Sequence, residues 1–175
     1  MIVLPFDGKE PSLGERVFVA PNATLIGDVT IGNDGSVWFG TVIRADVHFV
    51  HIGSRTNIQD NCVIHVTHET WPTVIAEEVT IGHGAIVHGC TIHRGALIGM
   101  GARVLDGAVV GELALVAAGA VVGEGMQIPP RVLAAGVPAR VKRELTGEEL
   151  ARLEQSWRHY VEYKEEYLRL QAARS

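Results

Sequence analysis

The chain has 175 residues, 47% of them hydrophobic, which suits one domain with a buried core and a small appendage. Lys and Arg number 15 against 20 Asp and Glu, a net charge of −5, which excludes the basic stripe that nucleic-acid binding needs. No apolar run reaches membrane-spanning length, and the start MIVLPFDGKE lacks the pattern of a secretory signal.

Two cysteines, Cys62 and Cys90, are too few for a disulfide framework. They read as small half-buried residues of a protein of the reducing cytoplasm, with a redox-controlled disulfide between them as the other option. The 20 glycines against 7 prolines, set in a well-patterned apolar sequence, indicate repeated tight corners.

Aliphatic residues recur every six positions at Val19, Leu25, Ile31, Val37 and Ile43. After three extra residues, Phe49, Val50 and His51 being read as a bulge, the count resumes at Ile52, Ile58 and Ile64. A longer loop, about 66–74, carries His68, Glu69, Trp71 and Pro72, and the count returns at Ile75, Ile81 and Val87. One step of five follows, then Ile92, Ile98, Val104, Val110, Val116, Val122 and Ile128. Glycine often comes next, as at Gly32, Gly53, Gly82, Gly99, Gly111 and Gly123.

A period of six fits neither a helix nor a plain alternating strand. It fits a parallel β-helix, an all-β fold in which three hexads close one triangular coil. Each hexad turns its aliphatic residue inward, and stacked coils bury what no single coil could.

Pro129 and Pro130 cannot donate ladder hydrogen bonds, so the β-helix is expected to end near Ile128. The segment Gly136 to Arg140 reads as an exit turn. Thr146 and Glu149 then form a capping-box pattern, and Leu150, Leu153, Trp157, Tyr160 or Val161, and Leu168 recur at helical spacing. The expected organisation is a β-helix domain over 1–143 and a C-terminal segment over 144–175. That segment holds an amphipathic helix from about Gly147 to Ala172, packed on the coils or on a neighbouring subunit.

The repeat places residues on faces. Ile64 and Val87 are three hexads apart, so His65 and His88, which follow them, stack about 4.8 Å apart. Arg44, after Ile43, stands one coil below His65 in the same column. By the same count Asp60 and His83 stack in a second column around a corner, beside Gln59. A threefold assembly would bring His83 of one chain against His65 and His88 of the next. Three histidines with an open fourth position form the ligand set of catalytic zinc, though iron(II) or cobalt also suits imidazole. His48, His51, His93 and His159 read as decoration or carry no signal.

The hexads over 18–143 resemble the hexapeptide-repeat family, which implies a left-handed β-helix and a homotrimer. Connections between parallel strands are normally right-handed, so the winding sense comes from the resemblance alone. VIRADV, NIQDNCVIH and IGHGAIVHGC are similar to signature segments of the gamma-class carbonic anhydrases. The resemblance implies a lyase that hydrates CO2 to bicarbonate, with metal held by His65 and His88 of one subunit and His83 of the next. It implies an interface pair in Arg44 and Asp46, a helix tyrosine near the site in Tyr160, and polar neighbours in Asn57, Gln59 and Asp60. Gln59 would orient metal-bound water or bicarbonate, and Asp60 would hold Arg44 or support a ligand.

The chain departs from the family where acidic residues serve proton transfer: Val47 stands in one place, and the loop offers His68 and Glu69. Either can exchange protons near neutral pH in a suitable environment, so they are the expected shuttle. Two other readings share the scaffold, since fold does not set function. One is an acyltransferase or thioesterase acting on coenzyme A esters, which would use one histidine as a general base. The other is a non-catalytic metal-binding or assembly subunit.

Overall fold

The computed structural model describes residues 1–173. The chain winds as a parallel β-helix whose strands fall on three faces. The first face stacks Ile2–Leu4, the start of Thr24–Ile31, the start of Val42–Ile52, Val63–His65, Ile86–His88, Arg103–Val104 and Val121–Val122. The third stacks Phe18–Val19, Ser36–Val37, Asn57–Ile58, Thr80–Ile81, Leu97–Ile98, Leu115–Val116 and Val132–Ala135. The two long strands Thr24–Ile31 and Val42–Ile52 run around a corner and join the first and second faces into one twelve-stranded sheet.

The six-residue period becomes a register. Ile43 pairs with Ile64, Ile64 with Val87, Val87 with Val104, and Val104 with Val122. All five are 0% exposed, so each coil seals its neighbours from water. Fully burying each such side chain contributes roughly 1.5–3 kcal/mol.

A second inward column stands at the corners, two residues earlier, where only small side chains fit. Ala85, Ala96, Ala102, Ala114 and Ala120 occupy it. Cys62 and Cys90 belong to this set, at two different corners, both buried and free. Burial pushes the Cys62 thiol up to about 11 and the Cys90 thiol up to about 12. Both pack as small residues of the core.

The periodic glycines, Gly123 excepted, serve close approach rather than turning. A Cβ on Gly99 would lie 2.4 Å from the Ala118 nitrogen of the next coil. The turn itself comes two residues later, where Gly101 has φ 67°.

Two expectations change, the end of the stack and the place of the bulge. The stack begins before the legible repeat, because Ile2–Leu4 and Ser12–Leu13 pair in parallel with Thr24–Ile31. It also passes the two prolines, since Leu133 pairs with Leu115 and Ala134 with Val116. Pro129 takes the register of Gly111, whose N–H donates to Ile128 of the coil beyond at 2.8 Å. Among the described residues no strand stacks beyond Gln127–Ile128 on this face, so the missing N–H of Pro129 removes no ladder bond. Finally, the bulge sits earlier than expected. Gly27 pairs with Ala45 and Val29 with Val50, so the extra residues fall between Ala45 and Val50, while Val50 and His51 stay in the ladder.

An antiparallel strand, Arg140–Glu144, closes one end. Helix α1, Gly147–Ala172, follows with the capping box of Thr146 and Glu149 formed in both directions. It packs on the third face of its own chain. Tyr160 and Tyr167 join Phe18, Trp38 and Phe39 in one aromatic cluster, with Trp38 and Tyr160 centroids 5.3 Å apart. Lys164 is fully buried, its Nζ 3.0 Å from Asp34, which also grips Arg16 at 2.6 Å. Among the described residues, no helix is long and apolar enough to cross a membrane.

Candidate metal centre

The register puts His65 directly beside His88 on adjacent coils. Their ring centroids lie 5.0 Å apart, and His65 Nδ1 is 3.0 Å from His88 Nε2. Each ring uses its other nitrogen on a carboxylate. His65 Nε2 lies 3.1 Å from Asp46 Oδ1, and His88 Nδ1 lies 2.5 Å from Asp106 Oδ1.

Burial opposes the charge on Asp46, but the bonds from Arg44 and His65 outweigh it and hold the carboxyl below its ordinary range. Burial likewise opposes the charge on Asp106, but the bonds from Thr67 and His88 outweigh it and hold this carboxyl below its ordinary range too. An ionised carboxylate only accepts, so each imidazole must turn its N–H outward to it. With both rings neutral, the two inner nitrogens carry lone pairs that face each other at 3.0 Å. Such a pair repels unless a cation lies between or before it. Two nitrogens on one tetrahedral zinc sit about 3.3 Å apart for bonds of about 2.0–2.1 Å, close to the separation found. The donor set therefore fits a metal. Burial, and then the Arg44 charge, push the His65 imidazole below its ordinary value against the pull of Asp46.

His83 stands around the corner between the third and first faces. Its Nδ1 lies 2.7 Å from Asp60 Oδ2, so the second column forms as the spacing requires. Within the chain Asp60 lies against His83 rather than Arg44, whose partner is Asp46. Gln59 is buried, donating to Asn57 Oδ1 at 3.2 Å and accepting the His83 backbone N–H at 3.1 Å. Asn57 donates on to Thr80, which meets Ser156 of the helix. Among the described residues, no group of three or more potential ligands converges within one chain.

Tyr160 lines a cavity of about 390 Å³ with Trp38, Asp60 and Tyr163. Burial, then the Asp60 charge, push its phenol up to about 12, so its hydroxyl stays protonated. His68 and Glu69 sit on the loop after His65, with side chains 69% and 83% exposed and 4.0 Å from each other.

Two residues escaped the sequence reading. Asp106 lies one coil beyond His88 in the register of Gly89, and Thr67 donates to its second oxygen at 2.6 Å. Both stand outside the two columns that the count singled out. Asp46 stands inside the three-residue insertion, where counting cannot place it at all.

Comparison with known proteins bears on the same residues. Residues 89–124 match the model of the bacterial transferase hexapeptide (six repeats) family. The chain is 44% identical to a carbonic anhydrase of Geobacillus kaustophilus over 99% of its own length and 95% of that protein's. It is 46% identical to the mitochondrial gamma carbonic anhydrase 2 of Arabidopsis thaliana over 87% of its length, but spans only 57% of that longer protein. A solved Bacillus cereus chain, provisionally designated an acetyltransferase, superposes with a TM-score of 0.95 at 43% identity, covering 97% of this chain and 98% of that one. The motifs around His65, His83 and His88 thus lie within full-length similarity, and the chain belongs to the gamma-class carbonic anhydrase family of hexapeptide-repeat proteins.

Proposed function

We propose that the protein hydrates CO2 reversibly to bicarbonate at a metal site shared between subunits of a homotrimer. The observation that carries this is the pair of inward-facing imidazole nitrogens, His65 Nδ1 and His88 Nε2, 3.0 Å apart, each ring tied to a carboxylate by its other nitrogen. Relatives named carbonic anhydrase support the reaction class. Zinc is the first expectation for an all-imidazole set, with iron(II) or cobalt as alternatives. When bound, such an ion supplies a Lewis acid that brings the pKa of water to about 7.

The chain's own residues do the rest. Asp46 and Asp106 orient the two facing rings, and Asp60 orients His83 for a neighbouring subunit. Beside the histidine column the first face turns Val42, Val63 and Ile86 outward, with Val63 41% exposed, an apolar stripe suited to a partner chain. Gln59 uses one amide hydrogen on Asn57, leaving a second donor for a bicarbonate oxygen. Tyr160 offers a protonated hydroxyl from the helix side. His68 and Glu69 carry the proton from the site to buffer. Replacing both by alanine should slow hydration in dilute buffer and spare it in concentrated buffer. Equal rates in both buffers would remove them from the pathway.

The acyl-transfer reading draws on the designation of the Bacillus cereus chain. It needs one histidine as a general base and no metal. Metal content and CO2 hydration, determined on one anaerobic preparation loaded with zinc or iron, separate the two. One metal per chain, with hydration lost in His88→Ala, supports the proposal. Metal without hydration leaves a binding subunit or an ester hydrolase. No metal in any preparation rejects it.

A further inference from the structure

The Asp106 carboxylate bridges two parts of the molecule. One oxygen takes His88 Nδ1 at 2.5 Å and the other takes the Thr67 hydroxyl at 2.6 Å. Thr67 is the base of the loop that carries His68 and Glu69, closed by the backbone bond from Thr67 to Trp71 at 3.0 Å. Trp71 lies over the two glycines beside this bridge. A Cβ on Gly89 would come 2.5 Å from Asp106 Oδ1 and 2.8 Å from the Trp71 Cβ, and one on Gly107 would come 3.1 Å from the Trp71 ring. At its far end the loop is tied again, because Thr73 donates to the His65 carbonyl at 2.6 Å and accepts the Gly89 N–H at 2.9 Å.

We infer that Asp106 is the positioning residue of His88, and that Thr67 makes the loop part of the metal site's support. With Nδ1–H committed to Asp106, His88 has one tautomer and presents a bare Nε2. Asp106 is held in turn by Thr67, so the loop's closed form and the ligand geometry stabilise each other. Because such coupling is reciprocal, metal occupancy also favours the closed loop. This rests on the metal site proposed above.

The test is zinc affinity, determined by competition with a chromophoric chelator. It compares the intact protein with Asp106→Asn, Thr67→Val, Thr67→Ser and His88→Ala, each checked for fold by circular dichroism. Asp106→Asn should bind zinc about 10–100-fold more weakly and shift the visible spectrum of the cobalt(II) form. Thr67→Val should weaken binding by a smaller factor, and Thr67→Ser, which keeps the hydroxyl, should restore it. Should Asp106→Asn fail to fold, the Thr67 pair carries the test one bond further from the metal. If Asp106→Asn and Thr67→Val stay within about twofold of the intact protein while His88→Ala loses zinc, the positioning role is wrong and the site stands. If the intact protein takes up no metal, the site itself is wrong, and this inference falls with it.

Discussion

On the first face, each strand turns one residue into the coil and the next one out. The inward residues Ile43, Ile64, Val87 and Val104 are interchangeable in kind, all aliphatic and all fully buried. Their outward neighbours Arg44, His65, His88 and Leu105 are not interchangeable, and the middle two belong to the proposed metal site. The same register serves both columns. Inside, it stacks methyl groups to exclude water. Outside, it brings two imidazole nitrogens to 3.0 Å, a separation that suits a shared proton or a metal ion. A β-helix thus separates stability from function by a single residue of strand.

If the two columns are independent, substitutions should divide cleanly. The largest effect on activity is expected from His88→Ala, which should abolish metal binding and hydration while leaving thermal unfolding of the metal-free protein nearly unchanged. Joint loss of fold would break the comparison. Ile98→Ala, an inward residue of the third face, should cost about 2–5 kcal/mol in denaturant unfolding while keeping full metal content per folded chain. Loss of metal there would show that core and site are coupled.

Asp34→Asn probes the tie between helix and coil and should cost about 1–3 kcal/mol at neutral pH, since it leaves buried Lys164 with Glu165 alone. Its hydrogen bond from Arg16 comes first, and with Lys164 it outweighs burial and depresses the Asp34 pKa. A depressed carboxylate stabilises above its unfolded pKa of about 3.9 and loses that contribution as pH falls through the folded value. The gap between Asp34→Asn and the intact protein should therefore be full at pH 7 and shrink in strong acid. A gap that widened in acid would contradict the assignment. Thr146→Ala should have the smallest effect, about 1 kcal/mol, read as a lower unfolding midpoint with unchanged metal affinity.

Much of this division was legible in the sequence. The inward column needs only aliphatic character every six residues, and every residue assigned to it is buried. The helix announced its start by Thr146 and Glu149 because a capping box is a local device. The pairing of His65 with His88, and of His83 with Asp60, followed from counting hexads on either side of the 66–74 loop. Counting failed where local spacing was broken or where the end of the stack mattered. Asp46 reaches His65 only because an insertion between Ala45 and Val50 carries it there. Asp106 reaches His88 from one coil beyond, at a position where most hexads carry nothing of note. The prolines misled because their missing N–H groups matter only when another strand lies beyond them. Winding sense was legible through the family resemblance alone, since aliphatic spacing is the same for either hand.

The central claim is that the site is completed only between subunits, and mixing two inactive proteins tests it most directly. His83→Ala and His88→Ala homo-oligomers should each lack bound metal. Unfolded together in equal amounts and reassembled, they should regain metal at about a quarter of the sites, because that share pairs an intact His65–His88 column with an intact neighbouring His83 in a cyclic assembly. Hydration should return in the same proportion. Metal retained by the His83→Ala protein alone, or none regained on mixing, would show that the site is not shared between chains.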